Sequence, residues 1–420
     1  MLWSGATSAP DTHRVAAAIW RIESPKLIAV LARLLQNVPL AEELAQDAFV
    51  EALQSWGQNG MPDNPGGWLM TAARHRALDA LRHTRRAARK HEQIERELET
   101  ALPASFDEAL DDIVGDDLLR LMFVACHPAL SQEARVALTL RLLGGLTTDE
   151  IARGFLVAEP TIAQRITRAK RTLGDLGVPF ELPRPSDLRA RLASVLEVIY
   201  LVFNEGYLAS AGDDWMRPAL CEDALRLGRT LAELSPAESE VHALVSLMEI
   251  QSSRARARSG PNGEAVLLLE QDRSQWDTLL VRRGLDGLAR AEGLARAGAG
   301  PYLLQAAIAA CHALAPTSAE TDWDAVISWY DVLLTVHDTP VVRLNRAAAI
   351  AERHGPAAGL AAVDAVDGLD AYAFWHASRG ELLARLDRWD EADAAWRGAI
   401  DLGLPAANAA YIARRRAERP

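Results

Sequence analysis

The segment that decides the fold runs from Gly144 to Leu173 and reads GGLTTDEIARGFLVAEPTIAQRITRAKRTL. Its first half contains Thr147-x-x-Glu150, a capping-box pattern that predicts the start of a short helix. Pro160 falls where a second helix should begin, in a first turn whose N–H groups have no intrahelical acceptors. We therefore predict two short helices joined by a tight turn.

The second of these helices has two chemically different faces. Its apolar face is formed at helical spacing by Ile162, Ile166, Ala169 and Leu173. Its polar and basic face is formed by Thr161, Gln164, Arg165, Arg168 and Arg171. A helix of this kind, presented by a helix-turn-helix, can lie in the major groove and offer glutamine and arginine to bases and phosphates. Taken alone, the pattern also fits an amphipathic hairpin with a solvated basic face.

The composition limits the classes of protein that need to be considered. The chain has 420 residues, 49% of them hydrophobic and 24% charged, and its formal net charge is −12. Such a chain is not a polycation that coats DNA, so any nucleic-acid contact must come from local basic patches. Its three cysteines are far apart, which predicts idle thiols and no metal. Without a long apolar run or a signal-peptide pattern, we expect a cytoplasmic protein with no membrane partner and no cofactor.

Two segments nearer the N-terminus carry opposite charge. The stretch LAEELAQDAFVEALQSW, from Leu40 to Trp56, predicts a helix with an acidic outer face made of Glu42, Glu43, Gln46 and Asp47. The loop GQNGMPDNPGG follows, and then a helix that begins WLMTAARHRALDALR and carries many arginines with a single acid, Asp79. A loop that can splay bases, an exposed Trp68 and a basic helix are suited to single-stranded nucleic acid. The alternative is that Trp68 is core and the arginines only keep the helix soluble.

These segments occur in a recognisable order along the chain. The acidic helix, NPGGWLMTAARHRALDALR, an acidic stretch and the helix-turn-helix together resemble the two-domain core of bacterial RNA polymerase sigma factors. The resemblance is to the extracytoplasmic-function (ECF) group of the sigma-70 superfamily. It implies an all-α fold with region 2 at residues 11–90, an acidic linker at 91–117 and region 4 at 118–178.

The resemblance also implies roles for individual side chains. Core RNA polymerase would contact Glu43, Gln46 and Asp47. The single-stranded −10 element of promoter DNA would contact Asn59, Asp63, Asn64, Trp68, Arg74, Arg76, Arg82 and Arg85. The duplex −35 element would contact Thr161, Gln164, Arg165, Arg168 and Arg171. His75 stands where many members have asparagine, so no role is assigned to it.

The long C-terminal part, residues 187–420, is rich in alanine and leucine at helical spacing and predicts an α-helical extension. The spacing of a tetratricopeptide unit is matched by Gly380, Leu383, Ala392, Trp396 and Ala399. A looser match is formed by Ala347, Ile350, Gly359, Val363 and Val366. The phrases VIYLVFNEGYLAS and LLEQDRSQWD resemble an ECF subgroup with a tetratricopeptide-like extension that regulates activity or is required for it.

Two groups of residues in the extension are candidates for interaction. Asn204, Glu205 and Tyr207 look like an anchor between the extension and the core; alternatively, they mark the end of a helix stopped at Gly206. A concave binding face, or simply core, would be formed by Asp272, Arg273, Trp276, His312, Trp323 and Asp324.

We therefore interpret the chain as a three-part transcription initiation factor without catalytic residues. It would bind core polymerase and promoter DNA, with an unidentified regulator or ligand acting on the extension. One alternative is a ligand-responsive helix-turn-helix regulator that acts without polymerase, although this leaves the paired acidic and basic helices unexplained. Another is an enzyme that uses Glu205 with His312 or Cys311, which no phosphate loop, nucleophile elbow or metal spacing supports.

Overall fold

The computed structural model describes residues 9–88, 108–208, 216–260, 265–296 and 298–419. Over these ranges the chain is helical and contains no strand, apart from one isolated bridge between Ser259 and Ala265. The all-α prediction is therefore confirmed. The chain divides into two compact units, Met1–Leu201 and Val202–Pro420, which are described separately below.

The first unit contains seven complete helices within its described residues, and an eighth continues into the second unit. Their bounds are α1 Ala9–Leu35, α2 Val38–Asn59, α3 Pro65–Ala88, α4 Glu108–Ala125, α5 Gln132–Leu142, α6 Thr148–Phe155, α7 Glu159–Asp175 and α8 Pro185–Tyr207. Helices α1, α2 and α3 pack on one another, and α4 packs on α1. Helices α5, α6 and α7 form the second bundle, the helix-turn-helix.

Local signals explain where the helix-turn-helix begins and turns. The Thr147 hydroxyl accepts the Glu150 N–H at 3.1 Å, and the Glu150 carboxylate accepts the Thr147 N–H at 2.8 Å. This reciprocal cap starts α6 as the sequence predicts. Helix α6 ends at Phe155, and the capping residue Leu156 adopts a left-handed conformation with φ of 49°. Pro160 then lies in the first turn of α7.

Tertiary packing explains features of α1 and α4 that local sequence signals do not predict. From the sequence, Pro25 predicts either a break in a helix or the start of one, yet α1 continues through it. The following residues Leu27, Ile28 and Leu31 are buried, so packing offsets the hydrogen bond that proline removes. Helix α4 begins at Glu108, inside the stretch predicted as linker. Its Asp117 is completely buried and accepts a hydrogen bond from Arg33 at 2.8 Å.

The second unit consists of successive helices that pack on their neighbours along the chain. Their bounds are α9 Pro218–Leu234, α10 Ser239–Ser253, α11 Thr278–Leu294, α12 Pro301–Leu314, α13 Trp323–Val336, α14 Pro340–His354, α15 Pro356–Asp364, α16 Ala373–Ala384, α17 Trp389–Asp401 and α18 Ala406–Ala417. Pairs that pack closely include α10 with α11, α14 with α15 and α16 with α17.

Two glycines mark the closest helix crossings of this unit. A Cβ atom on Gly380 would lie 2.4 Å from Cδ1 of Trp396, and one on Gly359 would lie 2.2 Å from Cβ of Ala351. Only glycine permits α16 to lie this close to α17, and α15 this close to α14. The small residues identified from the repeat spacing therefore lie at helix contacts.

Candidate nucleic-acid interface

The outer face of α2 presents the acidic side chains proposed to meet polymerase. Glu43 and Asp47 are exposed, and Gln46 is half-buried. Asp47 lies 3.7 Å from the guanidinium group of Arg76 on α3, and Arg76 also pairs with Glu51 at 2.9 Å. This acidic face is therefore partly balanced by the neighbouring basic helix.

Glu42 does not belong to that outer face, contrary to the expectation from its spacing. Its side chain is 3% exposed. Its Oε1 atom accepts hydrogen bonds from Arg141 at 2.7 Å and from Gln46 at 2.6 Å. The Lys170 ammonium lies beside Oε2 as an ion pair. Because Arg141 is on α5 and Lys170 is on α7, this carboxylate joins the first bundle to the helix-turn-helix. We call these four residues the Glu42 cluster.

A second contact joins the same two bundles. The Arg21 guanidinium donates to the Glu150 carboxylate at 2.9 Å, so the residue that caps α6 also binds α1. Gly145, with φ of 67°, comes so close to α1 that a Cβ atom there would lie 3.0 Å from Cα of Arg21. The helix-turn-helix is therefore packed against α1 as well as α2.

The loop between α2 and α3 combines exposed polar groups with a covered aromatic pair. Asn59 and Asp63 are exposed, and the Asn64 side chain accepts the Gly67 N–H at 2.9 Å and so caps α3. Trp68, expected to be exposed, is half-buried, with its ring 5.7 Å from the buried Trp56 ring in an edge-on arrangement. Packing on Trp56 explains the difference.

An open depression lies where this loop meets α3. It is lined by Glu51, Pro62, Asn64, Gly67, Trp68, Thr71, Ala72 and His75. The depression therefore brings together two of the residues predicted from the sequence, Asn64 and Trp68. His75, to which the sequence assigned no role, is exposed on its wall. His75 lies two helical turns after Trp68 on α3, and this i, i+7 spacing is the signal that would have identified it.

The arginines of α3 differ in their surroundings. Arg74 is half-buried, and burial together with the charge of Arg33 lowers its pKa. Arg76 is shared by two carboxylates of α2, as described above. Arg82 is exposed and pairs with Asp79 at 3.2 Å. The side chain of Arg85 lies outside the described residues.

The outer face of α7 is open to solvent over most of its length. The exposed members of the predicted set are Thr161, Gln164, Arg168 and Arg171. Arg165 is half-buried, and Arg171 lies 3.5 Å from Asp175 one turn further along. The opposite face buries Ile162, Ile166, Ala169 and Leu173 as predicted. Lys170 is the basic residue of α7 that turns away from this outer face, toward Glu42.

The predicted anchor residues of the extension make local contacts in the second unit. Glu205 pairs with Arg217, and the Arg217 N–H donates to the Gly206 carbonyl at 2.7 Å. The Tyr207 hydroxyl contacts Arg254, and its ring lies 3.5 Å from the guanidinium carbon of Arg258. Asn204 is half-buried. These contacts describe a helix end that is well packed; the role as an anchor stays a prediction.

The six residues proposed to line a concave face are mostly packed together. Arg273 donates to the His312 carbonyl at 2.7 Å, and Trp276 is buried beside Arg273. Burial and the positive charges of Arg254 and Arg273 lower the pKa of His312 to about 4. The Trp323 ring meets the His312 ring edge-on at 5.3 Å. Asp272 and Asp324 remain exposed. Burial of Trp276 and His312 makes this cluster part of the core.

Two further observations concern metal binding and membrane insertion. Among the described residues, no three His, Cys, Asp or Glu side chains are close enough to hold a metal ion. No helix in the described ranges is long and apolar enough to cross a membrane.

Comparison with known families assigns the two bundles and the extension separately. The Sigma-70 region 2 family matches residues 19–87, and the Sigma-70 region 4 family matches residues 120–173. A family of unknown function, DUF6596, matches residues 191–292 in the extension. No solved structure matches the chain.

Individual relatives match either most of the chain or about a third of it. An uncharacterized protein of Rhizobium meliloti (strain 1021) is 42% identical over 393 residues, 92% of each chain. The RNA polymerase sigma factor CarQ of Myxococcus xanthus is 35% identical over 128 residues, 30% of this chain and 69% of CarQ. The ECF RNA polymerase sigma factor SigK of Mycobacterium ulcerans (strain Agy99) is 26% identical over 153 residues, 35% of this chain and 78% of SigK.

The matched regions and the helical bundles define a sigma factor of the sigma-70 superfamily, a transcription initiation factor. More particularly, the chain belongs to the ECF group of RNA polymerase sigma factors and carries an additional C-terminal helical domain.

Proposed function

We propose that this sigma factor binds core RNA polymerase through the exposed acidic face of α2, with Glu43, Gln46 and Asp47 in contact with a basic surface of the enzyme. The observation that carries the proposal is the juxtaposition of this face with the depression at Asn64, Trp68 and His75. One bundle thereby offers an acidic surface for a protein and a polar, aromatic recess for a base.

Strand separation at the −10 element would follow from binding alone. A base that leaves the stack can enter the depression, where Trp68 offers a stacking surface and Asn64 and His75 offer hydrogen-bonding groups. Asn59 ends α2 just before the same loop, and Asp63 lies within it. Arg74, Arg76, Arg82 and Arg85 would hold the strand by its phosphates. The free energy of these contacts would offset the cost of unstacking, with no hydrolysis step.

Promoter choice at the −35 element would come from α7. Gln164 and Arg168 are exposed on its outer face and can reach base edges in a major groove, while Thr161, Arg165 and Arg171 can contact bases or phosphates. A second candidate function, regulation of transcription without polymerase, would use the same helix. It gives no role to the acidic face of α2.

The deciding experiment is run-off transcription with purified core polymerase and a candidate promoter. We expect transcripts only when the sigma factor is present. Arg168→Ala should weaken promoter binding by the holoenzyme about tenfold, because one base or phosphate contact is lost. Arg282→Ala, an exposed arginine of α11, is the control and should have no effect. Promoter binding that is equally strong and specific without polymerase would support the second candidate function.

Polymerase binding can be tested separately from promoter choice. Asp47→Ala should lower the affinity for core polymerase several-fold, because one carboxylate of the docking face is removed. Asp401→Ala, at an exposed position of α17, serves as the matched control. Equal affinities of the two variants for core polymerase would contradict the assignment of α2 as the docking helix.

We also propose that the extension regulates transcription. A truncation that tests this should retain α8, because Arg135 donates to Ser194 at 2.6 Å and to Glu197 at 2.9 Å within the first unit. A chain ended after Tyr207 should transcribe at a different rate from the full chain at equal occupancy of polymerase. Unchanged transcription would show that residues 208–420 are dispensable for initiation.

A further inference from the structure

The second unit contains a cavity that the proposed function does not use. It lies among α14, α16, α18 and the segment around Leu267, and it encloses about 300 Å³. This volume is at the lower end of the range found for small-molecule sites. Its apolar lining includes Ala351, Val363, Leu382, Trp396, Leu404 and Ile412. The rings of Phe374 and Tyr411 add aromatic surface.

The cavity wall carries more carboxylates than arginines, and each of these carboxylates has an arginine partner. Glu270, Glu352 and Glu381 line the cavity together with one arginine, Arg385. Glu352 pairs with Arg385, while the other two carboxylates pair with arginines of α18: Glu270 with Arg414 at 2.7 Å and Glu381 with Arg415 at 3.0 Å. Arg414 and Arg415 are not lining residues, so the wall itself presents three carboxylates and one guanidinium group. This excess of negative charge at the wall disfavours an anionic ligand.

Two lining residues of the cavity carry a buried polar atom without a hydrogen-bond partner in the described part of the protein, Nε1 of Trp396 and Oδ1 of Asn408. Nε1 of Trp396 faces Gly380 on α16. Oδ1 of Asn408 is buried and accepts no hydrogen bond from the described part of the protein, and Asn408 is a lining residue. A buried acceptor without a donor is costly, so a ligand that supplies an N–H group would gain from satisfying it. The nearby Tyr411 does not add negative charge, because burial and the charges of Glu381 and Glu270 raise the pKa of its phenol.

We propose that this cavity is a binding site for a compact apolar molecule that carries an N–H donor and no negative charge. The apolar body lies against Phe374, Trp396 and Leu382, and the donor reaches Oδ1 of Asn408. The site is independent of the polymerase and promoter contacts, so it can exist whether or not those contacts are correctly assigned.

Two matched fluorescent probes test the proposal with the full chain. N-phenyl-1-naphthylamine is neutral and has one N–H group, and 8-anilinonaphthalene-1-sulfonate adds a sulfonate to the same framework. We expect saturable binding of the neutral probe with one site per chain, and binding of the sulfonate at least about tenfold weaker. Equal affinity for the two probes, or no saturable binding of the neutral probe, would overturn the proposal.

Substitutions place the probe in this cavity. Ala348 is exposed on α14 and lines the cavity, so Ala348→Trp should obstruct it and weaken binding of the neutral probe at least about tenfold. Asn408→Leu should weaken it about fivefold by removing the acceptor. Ala394→Trp, on the exposed face of α17, is the control and should bind as the unaltered chain does.

The folded state of each variant is checked by its thermal unfolding midpoint. If Asn408→Leu unfolds, Ala348→Trp still decides, because its position is exposed. Unchanged binding of the neutral probe to Ala348→Trp would refute the assignment of the cavity. Probe binding that appears only when light scattering shows association of two chains would also refute the assignment, because the occupant of the cavity would then be a second copy of the chain.

Discussion

Glu42 shows how one side chain can connect two functional surfaces. Its carboxylate is almost completely buried on α2, the helix that we propose docks to polymerase, yet its charged partners, Arg141 and Lys170, belong to region 4. Removing two charges from water is costly, so such a cluster is stable only while its members are present together. The Glu42 cluster therefore opposes the separation of region 4 from region 2.

We expect Glu42→Gln to lower the free energy of unfolding of the first unit by roughly 2–4 kcal/mol, because two half-buried cations lose the buried carboxylate that neutralises them. Hydrogen exchange of the backbone amides of α2 and α7 in the full chain measures this effect. The neighbouring Glu43 is exposed, so Glu43→Gln should change the free energy of exchange of the same amides by less than about 0.5 kcal/mol. Equal protection of the two variants would show that the cluster contributes no stability.

At the scale of the element, the close crossing of α16 and α17 requires a glycine. Gly380→Ala should lower the free energy of unfolding of the second unit by about 1–3 kcal/mol, because its Cβ would overlap the Trp396 ring. Gly293→Ala on α11 meets nothing within 4 Å and should stabilise the unit by about 0.5–1 kcal/mol. Urea unfolding of the two variants measures both changes. The same sign for both would contradict this account of the crossing.

The elements predictable from sequence are those determined by local signals. The capping box at Thr147, Pro160 and the apolar stripe of α7 all lie within one short segment, and the structure confirms each of them. Glu42 is different because its partner Arg141 is 99 positions away, so helical spacing alone placed it on the solvent side. Trp68 was similarly misplaced because Trp56, from the preceding helix, covers it.

In the candidate site, too, features set by one local segment differ from features that depend on distant residues. The exposed members of the α7 face could be identified from spacing, because one amphipathic helix determines them. The depression beside α3 could not be predicted from the sequence, because it forms only where the loop, Glu51 of α2 and His75 of α3 come together in space. Sequence therefore identified Asn64 and Trp68 individually, and the structure adds His75 to them.

At the scale of the whole molecule, the second unit should respond to acid through His312. The pKa of His312 is about 4 in the folded chain and near its ordinary value of 6.5 when unfolded. Between these values the unfolded chain binds the additional proton, so this contribution to stability is complete above pH 6.5 and is lost as the pH falls toward 4. The full contribution is on the order of 3 kcal/mol.

Thermal unfolding of the full chain between pH 7.5 and 4.5 tests this dependence. The transition of the second unit should move to lower temperature as the pH falls, and His312→Gln should show a weaker dependence because the titrating group is absent. If His312→Gln and the unaltered chain lose stability in parallel, a different group is responsible for the acid sensitivity.

The position of Lys170 has a practical consequence for synthetic gene circuits. A designer who recodes α7 to address a new promoter would regard every basic residue of that helix as available for replacement. Lys170, however, neutralises a carboxylate on the helix that we propose recruits the polymerase. Libraries that retain this lysine and vary only the solvent-facing positions should yield orthogonal variants whose recruitment of the enzyme is preserved.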